Sequence, residues 1–185
     1  MSEIVERKSV PIWIQMVVWL LIAGLLALVA STLSKRQQGS IRPGDTLPDF
    51  SLTLFSGYEF EGQSEVSLSD FSGKIVVLNF WASWCKPCEQ EAAELEEAWK
   101  FYNGDVMFLG ADYVDTEPEA RTYLKKFQIT YPNGPDLRTE LSQMFRITGV
   151  PETYFIDQQG VLYYVKVGPF VSLDEIKSII EQKLQ

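Results

Sequence analysis

From Pro11 to Leu33 the chain reads PIWIQMVVWLLIAGLLALVASTL, without a charge and with Gln15 as its most polar member. At about 1.5 Å of rise per residue, such a stretch spans a hydrocarbon core of about 30 Å. Trp13 lies near one end, where an indole prefers the membrane interface, and Arg7, Lys8, Lys35 and Arg36 flank the run. The pattern predicts one transmembrane helix over residues 11–33. A cleaved signal peptide is the competing reading. Its apolar region normally runs about 7 to 15 residues and ends on an A-x-A-like pattern, which Leu28-Val29-Ala30 fits poorly. Lysine and arginine counts nearly tie on the two sides, so the positive-inside rule leaves the orientation open. Residues 1–10 form a short tail, the polar residues 34–46 read as a tether, and residues 47–185 read as the folded domain.

Within that domain the apolar period changes repeatedly. Phe50 to Leu54 and Val66 to Leu68 are short strand-like runs around a polar, Gly-containing stretch, which predicts a hairpin, and Ser69 to Lys74 reads as a turn. Ile75 to Trp81 is an almost continuous apolar run, as expected of a central strand covered on both faces. Ala92, Leu95, Trp99 and Tyr102 then recur at helical spacing. Val106 to Ala111 reads as a second buried strand, and Thr116-Glu117-Pro118-Glu119 as a capping box opening a helix through Phe127. Asp136 is placed to cap a short helix carrying Leu137, Leu141 and Phe145 on one face. Thr153 to Ile156 and Val161 to Val167 flank Asp157-Gln158-Gln159-Gly160 as a second hairpin. Ser172 to Glu175 forms another capping box before a terminal helix with Ile176, Ile179 and Ile180 facing inward. The order is hairpin, βαβα, ββα: an α/β fold with a mixed central sheet and helices on both faces.

Composition narrows the chemistry. With 16 basic and 25 acidic residues the net charge is -9, which repels phosphate backbones and argues against nucleic acid as a partner. The absence of histidine removes His-based metal sites, Ser-His and Cys-His nucleophile pairs and a CxxCH haem attachment. The two cysteines are too few for a disulfide scaffold or an all-cysteine zinc site, so no metal is expected.

Those cysteines, Cys85 and Cys88, sit in Trp84-Cys85-Lys86-Pro87-Cys88, where a strand turns directly into a helix. Unpaired N–H groups and the dipole at a helix start favour negative charge, and cysteines so placed ionise at about pH 3.5 to 7.5 instead of about 8.5. Lys86 adds positive charge, and Pro87 fits a first turn where its missing N–H costs no hydrogen bond. Cys85 is therefore the expected nucleophile and Cys88, one turn on, the resolving thiol. The pair could otherwise be two small core residues or half of an intermolecular metal site; a CxxC inside a βαβ pattern argues against both.

Phe80-Trp81-Ala82-Ser83-Trp84-Cys85-Lys86-Pro87-Cys88 and, far away, Gly149-Val150-Pro151-Glu152-Thr153 together resemble the thioredoxin-like superfamily over roughly residues 45–185. Asn79-Phe80-Trp81-Ala82, Pro-Glu-Thr-Tyr-Phe-Ile-Asp and the preceding hairpin resemble more narrowly the membrane-tethered TlpA, ResA and CcmG/DsbE type oxidoreductases. That resemblance implies a thioredoxin-like fold and a cis Pro151, with the Val150 backbone pairing with bound substrate beside Cys85. Asn79 stands where thioredoxin carries a buried aspartate. Glu91 stands where the subgroup carries an acidic residue that exchanges a proton with the resolving thiol, although a solvated helix face remains open for it among Glu89, Glu94, Glu96 and Glu97. Glu152 is a further candidate beside the substrate edge.

The resemblance implies an extracytoplasmic, membrane-anchored reductase of exported proteins such as apocytochrome c, with no cofactor beyond its own cysteines and a membrane thiol-electron transporter as reductant. Its N-terminus would be cytoplasmic, since a cytoplasm already kept reducing has little need of a tethered reductase. Three other readings stay open: a net disulfide oxidase or isomerase, because Lys86-Pro87 does not fix the reduction potential; a non-enzymatic thioredoxin-fold binding module; and, last, a peroxidase.

Overall fold

The computed structural model describes residues 11–37 and 41–184. The tail read at residues 1–10, residues 38–40 of the tether and Gln185 lie outside the described residues. The chain divides into two units, residues 1–40 and 41–185.

In the first unit α1 runs from Ile12 to Gln37. Its segment Ile12–Ser31 is long and apolar enough to cross a membrane, and its side chains are exposed, Leu20 and Trp19 among them. The helix continues four residues past the apolar run into the segment read as tether. No Gly or Pro interrupts the chain between Gly24 and Gly39, so nothing local stops it.

The second unit begins earlier than residue 47. The Gly44 N–H donates to the Leu162 carbonyl at 2.7 Å and the Leu162 N–H to the Asp45 carbonyl at 3.0 Å, so the end of the supposed tether already pairs with the body.

A five-stranded sheet is built from β3 (Ile75–Trp81), β4 (Val106–Asp112), β5 (Asn133–Pro135), β6 (Glu152–Ile156) and β7 (Leu162–Val167) in the order β5-β4-β3-β6-β7. β3 pairs parallel with β4 and antiparallel with β6, and β4 pairs parallel with β5. Every residue of β3 and β4 is buried, which is why both read as unbroken apolar runs instead of alternating ones. The helices are α2 (Lys86–Tyr102), α3 (Glu117–Lys126), α4 (Glu140–Phe145) and α5 (Leu173–Ile180). One core lies between the sheet and α2, α3 and α5, and a second on the opposite face, where Phe80, Phe145 and Tyr154 stack edge to face beside Phe50. The first hairpin, β1 (Ser51–Thr53) with β2 (Glu65–Ser67), forms a separate small sheet over that second core.

Four details depart from the pattern reading. Leu68–Phe71 is a 3-10 turn, so Leu68 belongs to it and not to a strand. Thr116 does not close a reciprocal capping box, because its hydroxyl donates to the Glu119 carboxylate at 2.8 Å and leaves the helix N–H groups to other partners. Leu137 lies on a 3-10 turn before α4 and is exposed, because the residues that follow enter the helix from left-handed conformations at Arg138 and Thr139. Asp136 does serve α4, accepting from the Leu141 and Ser142 N–H groups at 2.8 and 2.9 Å. β5 was missed altogether.

Candidate active site

The cysteines lie where β3 ends and α2 begins. Cys85 is the N-cap of α2, in extended conformation, and its sulfur accepts the Cys88 backbone N–H at 3.1 Å. This is the donor that would stabilise a thiolate at that sulfur. Pro87 occupies the first turn. The two cysteines form a disulfide, with Cα atoms 5.3 Å apart, so the structure shows the oxidised pair. Both are almost closed off, at 3 % and 1 % exposure, whereas the neighbouring Trp84 is 58 % exposed. Lys86 points to solvent and pairs with Glu89 at 3.2 Å, and Glu89 also takes Lys126 at 3.1 Å. These two pairs hold the Glu89 carboxyl below its usual range.

On the other side of the sulfur stands the turn before β6. The Val150–Pro151 peptide is cis, and the Val150 carbonyl oxygen lies 3.4 Å from the Cys85 sulfur. A cleft of about 200 Å³ opens there, lined by Pro87, Thr148, Val150, Pro151, Val167 and Pro169. Glu152 also lines this cleft. Its buried carboxylate accepts the Thr148 N–H at 2.7 Å and hydroxyl at 2.6 Å, and the Tyr154 hydroxyl at 2.7 Å. It therefore braces the turn that carries Val150 and Pro151.

Glu91 is turned inward from α2 and only 1 % exposed, which excludes the solvated helix face. The Asn79 amide donates to one of its oxygens at 2.8 Å and the Phe170 N–H to the other at 3.0 Å. Asn79 also donates to the Thr153 hydroxyl, at 2.9 Å, so this uncharged residue of the central strand orients the carboxyl. Burial pushes the Glu91 carboxyl up to about 7, against the Phe170 N–H, the Asn79 amide and the Lys166 ammonium. A group that titrates near neutrality one turn past Cys88 can take and return a proton.

Sequence reasoning missed Tyr123, whose hydroxyl donates to the Cys88 carbonyl at 2.9 Å while its ring stacks on Trp81 at 4.5 Å. It also missed Asp115, which accepts the Ser83 N–H at 2.6 Å. Neither could have been found from spacing, since both arrive from elements that only tertiary folding brings alongside. Among the described residues no group of three or more Cys, Asp or Glu could hold a metal.

A mixed sheet with an oxidised CxxC at the start of a helix, facing a cis proline, defines a thioredoxin-like thiol-disulfide oxidoreductase. The chain belongs to the AhpC/TSA family, whose family model matches residues 43–165. It is 33% identical over 83% of its length to "Thioredoxin-like protein YneN" of Bacillus subtilis, covering 84% of that protein. It is 32% identical over 87% of its length to "Thiol-disulfide oxidoreductase ResA" of Oceanobacillus iheyensis, covering 82% of it. Among solved structures, a thiol:disulfide interchange protein of the thioredoxin family from Chlorobium tepidum superposes with a TM-score of 0.68 at 28% identity, over 78% of this chain and 98% of that one. These relatives are of the TlpA/ResA/DsbE type. Enzymes of this kind act on disulfide-bearing substrates through their own cysteines, without a further cofactor.

Proposed function

We propose that the chain is a membrane-tethered, extracytoplasmic reductase of disulfides in exported proteins such as apocytochrome c. The observation that carries the reading is Cys85 at the start of α2, its sulfur taking the Cys88 N–H at 3.1 Å and facing the Val150 carbonyl at 3.4 Å. The apolar segment Ile12–Ser31 supports the tether, and the likeness to a protein named thiol-disulfide oxidoreductase supports the exchange chemistry.

In the reduced enzyme the Cys85 thiolate attacks one sulfur of the substrate disulfide. A Cys85–substrate bond forms, and the other substrate sulfur leaves as a thiolate. Substrate lies extended along Val150 and Pro151, opposite the exposed Trp84. Cys88 then yields its proton to the Glu91 carboxylate and attacks the Cys85 sulfur, releasing the second substrate thiolate and leaving the disulfide seen here. Two electrons pass to the substrate, and a membrane dithiol carrier returns them by the reverse exchange. Lys86 and Pro87 shape the helix start, and Glu152 holds the turn bearing Val150 and Pro151.

The test is a Cys88→Ser variant of the full chain in its native membrane. It should accumulate a mixed disulfide between Cys85 and an exported protein. Adducts confined to cytoplasmic proteins, or full activity of Cys85→Ser in cells lacking the native protein, would refute the reading. A reduction potential near ~-270 mV agrees with a reductase, whereas one near ~-120 mV turns the same chemistry into net oxidation.

A further inference from the structure

One side chain reaches both ends of the connection that carries Cys85. Tyr123 lies on the buried face of α3, with Ala120 and Leu124, and is itself 7 % exposed. Its hydroxyl donates to the Cys88 carbonyl at 2.9 Å, in the first turn of α2. Its ring stacks on the indole of Trp81, the last residue of β3, with centroids 4.5 Å apart and planes within 21°. Residues 82–85 lie between those two points. Trp81 is fixed in turn. Its indole N–H donates to the Asn133 side-chain oxygen at 2.8 Å, the Asn133 amide donates to the Tyr131 carbonyl at 2.9 Å, and the Trp81 carbonyl accepts the Tyr113 N–H at 2.7 Å. The contacts thus run from β5 through the end of β3 and α3 to the second cysteine.

What the hydroxyl adds is position. Carbonyls in the first turn of an α-helix have partners in the helix's own ladder, and the groups left over there are N–H groups. The Cys88 carbonyl therefore does not need Tyr123 to be satisfied; the bond fixes the peptide unit after Cys88 against the end of the strand. In the mixed disulfide Cys85 is bonded to substrate, and no covalent link holds the Cys88 thiol near it. Closure of the Cys85–Cys88 bond then depends on how well the fold presents one sulfur to the other, and a displacement of about 1 Å in such a step costs up to about a hundredfold.

We propose that Tyr123 is a positioning residue that presents Cys88 to the Cys85 sulfur and so sets the effective concentration of the resolving thiol. In the step it serves, Cys88 yields its proton to Glu91 and its thiolate attacks the Cys85 sulfur. The Cys85–Cys88 bond forms, the Cys85–substrate bond breaks, and that electron pair leaves with the substrate thiolate. Tyr123 gives up no proton: burial, with the carboxylates of Glu91 and Glu89 near it, raises its hydroxyl further above its ordinary range. The inference rests on Cys88 as the resolving thiol, and not on the substrate or the net direction of exchange.

The test compares the full-length protein with Tyr123→Phe, both in detergent micelles; the variant keeps the ring on Trp81 and loses only the hydroxyl. In glutathione redox buffers the effective concentration of the Cys85–Cys88 pair should fall about threefold to tenfold, the range that one hydrogen bond supports. At about 30 mV per tenfold, the reduction potential rises by about 14 to 30 mV. Stopped-flow decay of a Cys85–glutathione adduct should slow by a similar factor, while alkylation of Cys85 by iodoacetamide keeps its rate. An unchanged potential and decay rate, whatever happens to stability in urea, would reduce Tyr123 to a packing role and overturn the proposal. So would a slowing of Cys85 alkylation as large as that of the decay. A Cys88→Ser variant that accumulates no adduct would overturn the resolving role itself, a failure that these readouts keep apart from that of Tyr123.

Discussion

Asp157, just after β6, and Asp112, the last residue of β4, lie at opposite ends of the same sheet with β3 between their strands, and both are buried. Asp157 sits in the turn between β6 and β7, where one oxygen accepts the Gln159 and Val161 N–H groups at 3.0 Å each and the other faces Lys183 at 3.7 Å. Asp112 has an orphaned oxygen and two carboxyl neighbours. Glu91 differs from both: its two oxygens accept from the Asn79 amide and the Phe170 N–H, and burial still pushes its carboxyl up to about 7. Cleft size does not separate the two ends: about 490 Å³ opens beside Asp157 and Ser69, about 200 Å³ beside Pro151 and about 550 Å³ beside Tyr113. Asp157 builds a turn, whereas burial raises Glu91 and Asp112 toward neutrality, where a carboxyl is suited to exchanging a proton.

The largest effect that can break this comparison is at Glu91. Glu91→Gln cannot accept the Cys88 proton, and resolution of the mixed disulfide should slow about a hundredfold at neutral pH, measured by stopped-flow decay of a trapped adduct. The same variant has a stability signature. A carboxyl raised from 4.5 to about 7 on folding contributes stability that is complete below pH 4.5 and lost as pH rises to about 7. Urea unfolding should therefore show the native chain losing on the order of 2–3 kcal/mol across that window from this group, a loss that Glu91→Gln largely removes.

Asp157→Ala should do the reverse. It removes the charged acceptor of the Gln159 and Val161 N–H groups and should cost about 1–3 kcal/mol in the same urea measurement, with the rate of disulfide exchange unchanged. A slowed exchange would erase the distinction between the poles. The smallest effect is at Lys166, which pairs with Glu175 and lies over the Phe170 ring. Lys166→Met should move the Glu91 inflection in the pH–rate profile upward, because the ammonium favours the carboxylate, and Glu175→Gln should move it downward.

Much of this molecule could be read from local pattern. The strand Ile75–Trp81 and the helix through Tyr102 are bounded by sharp changes of period and by turn residues, so both were placed from the chain itself. β5 was not, because Asn133-Gly134-Pro135 carries no strand pattern and exists as a strand only through its pairing with β4. Its glycine answers a long-range need: a Cβ on Gly134 would come within 1.8 Å of the Thr53 carbonyl. The site divides in the same way. Cys85, Cys88 and Pro87 form a contiguous unit with its own helix start, whereas the environment of Glu91 depends on the Phe170 N–H, 79 residues later. Asp112 lies one residue past the run read as a strand, Val106 to Ala111, and only the fold brings the carboxyls of Asp115 and Asp136 near it.

The central claim is that the start of α2 makes Cys85, and not Cys88, the reactive thiolate. Alkylation of the reduced full-length protein with iodoacetamide, followed peptide by peptide by mass spectrometry from pH 4 to 9, tests it directly. The account predicts that Cys85 reacts first, with a midpoint inside the range of about 3.5 to 7.5 found at helix starts, while Cys88 stays protected. Equal labelling of the two cysteines with a midpoint near about 8.5 would contradict it.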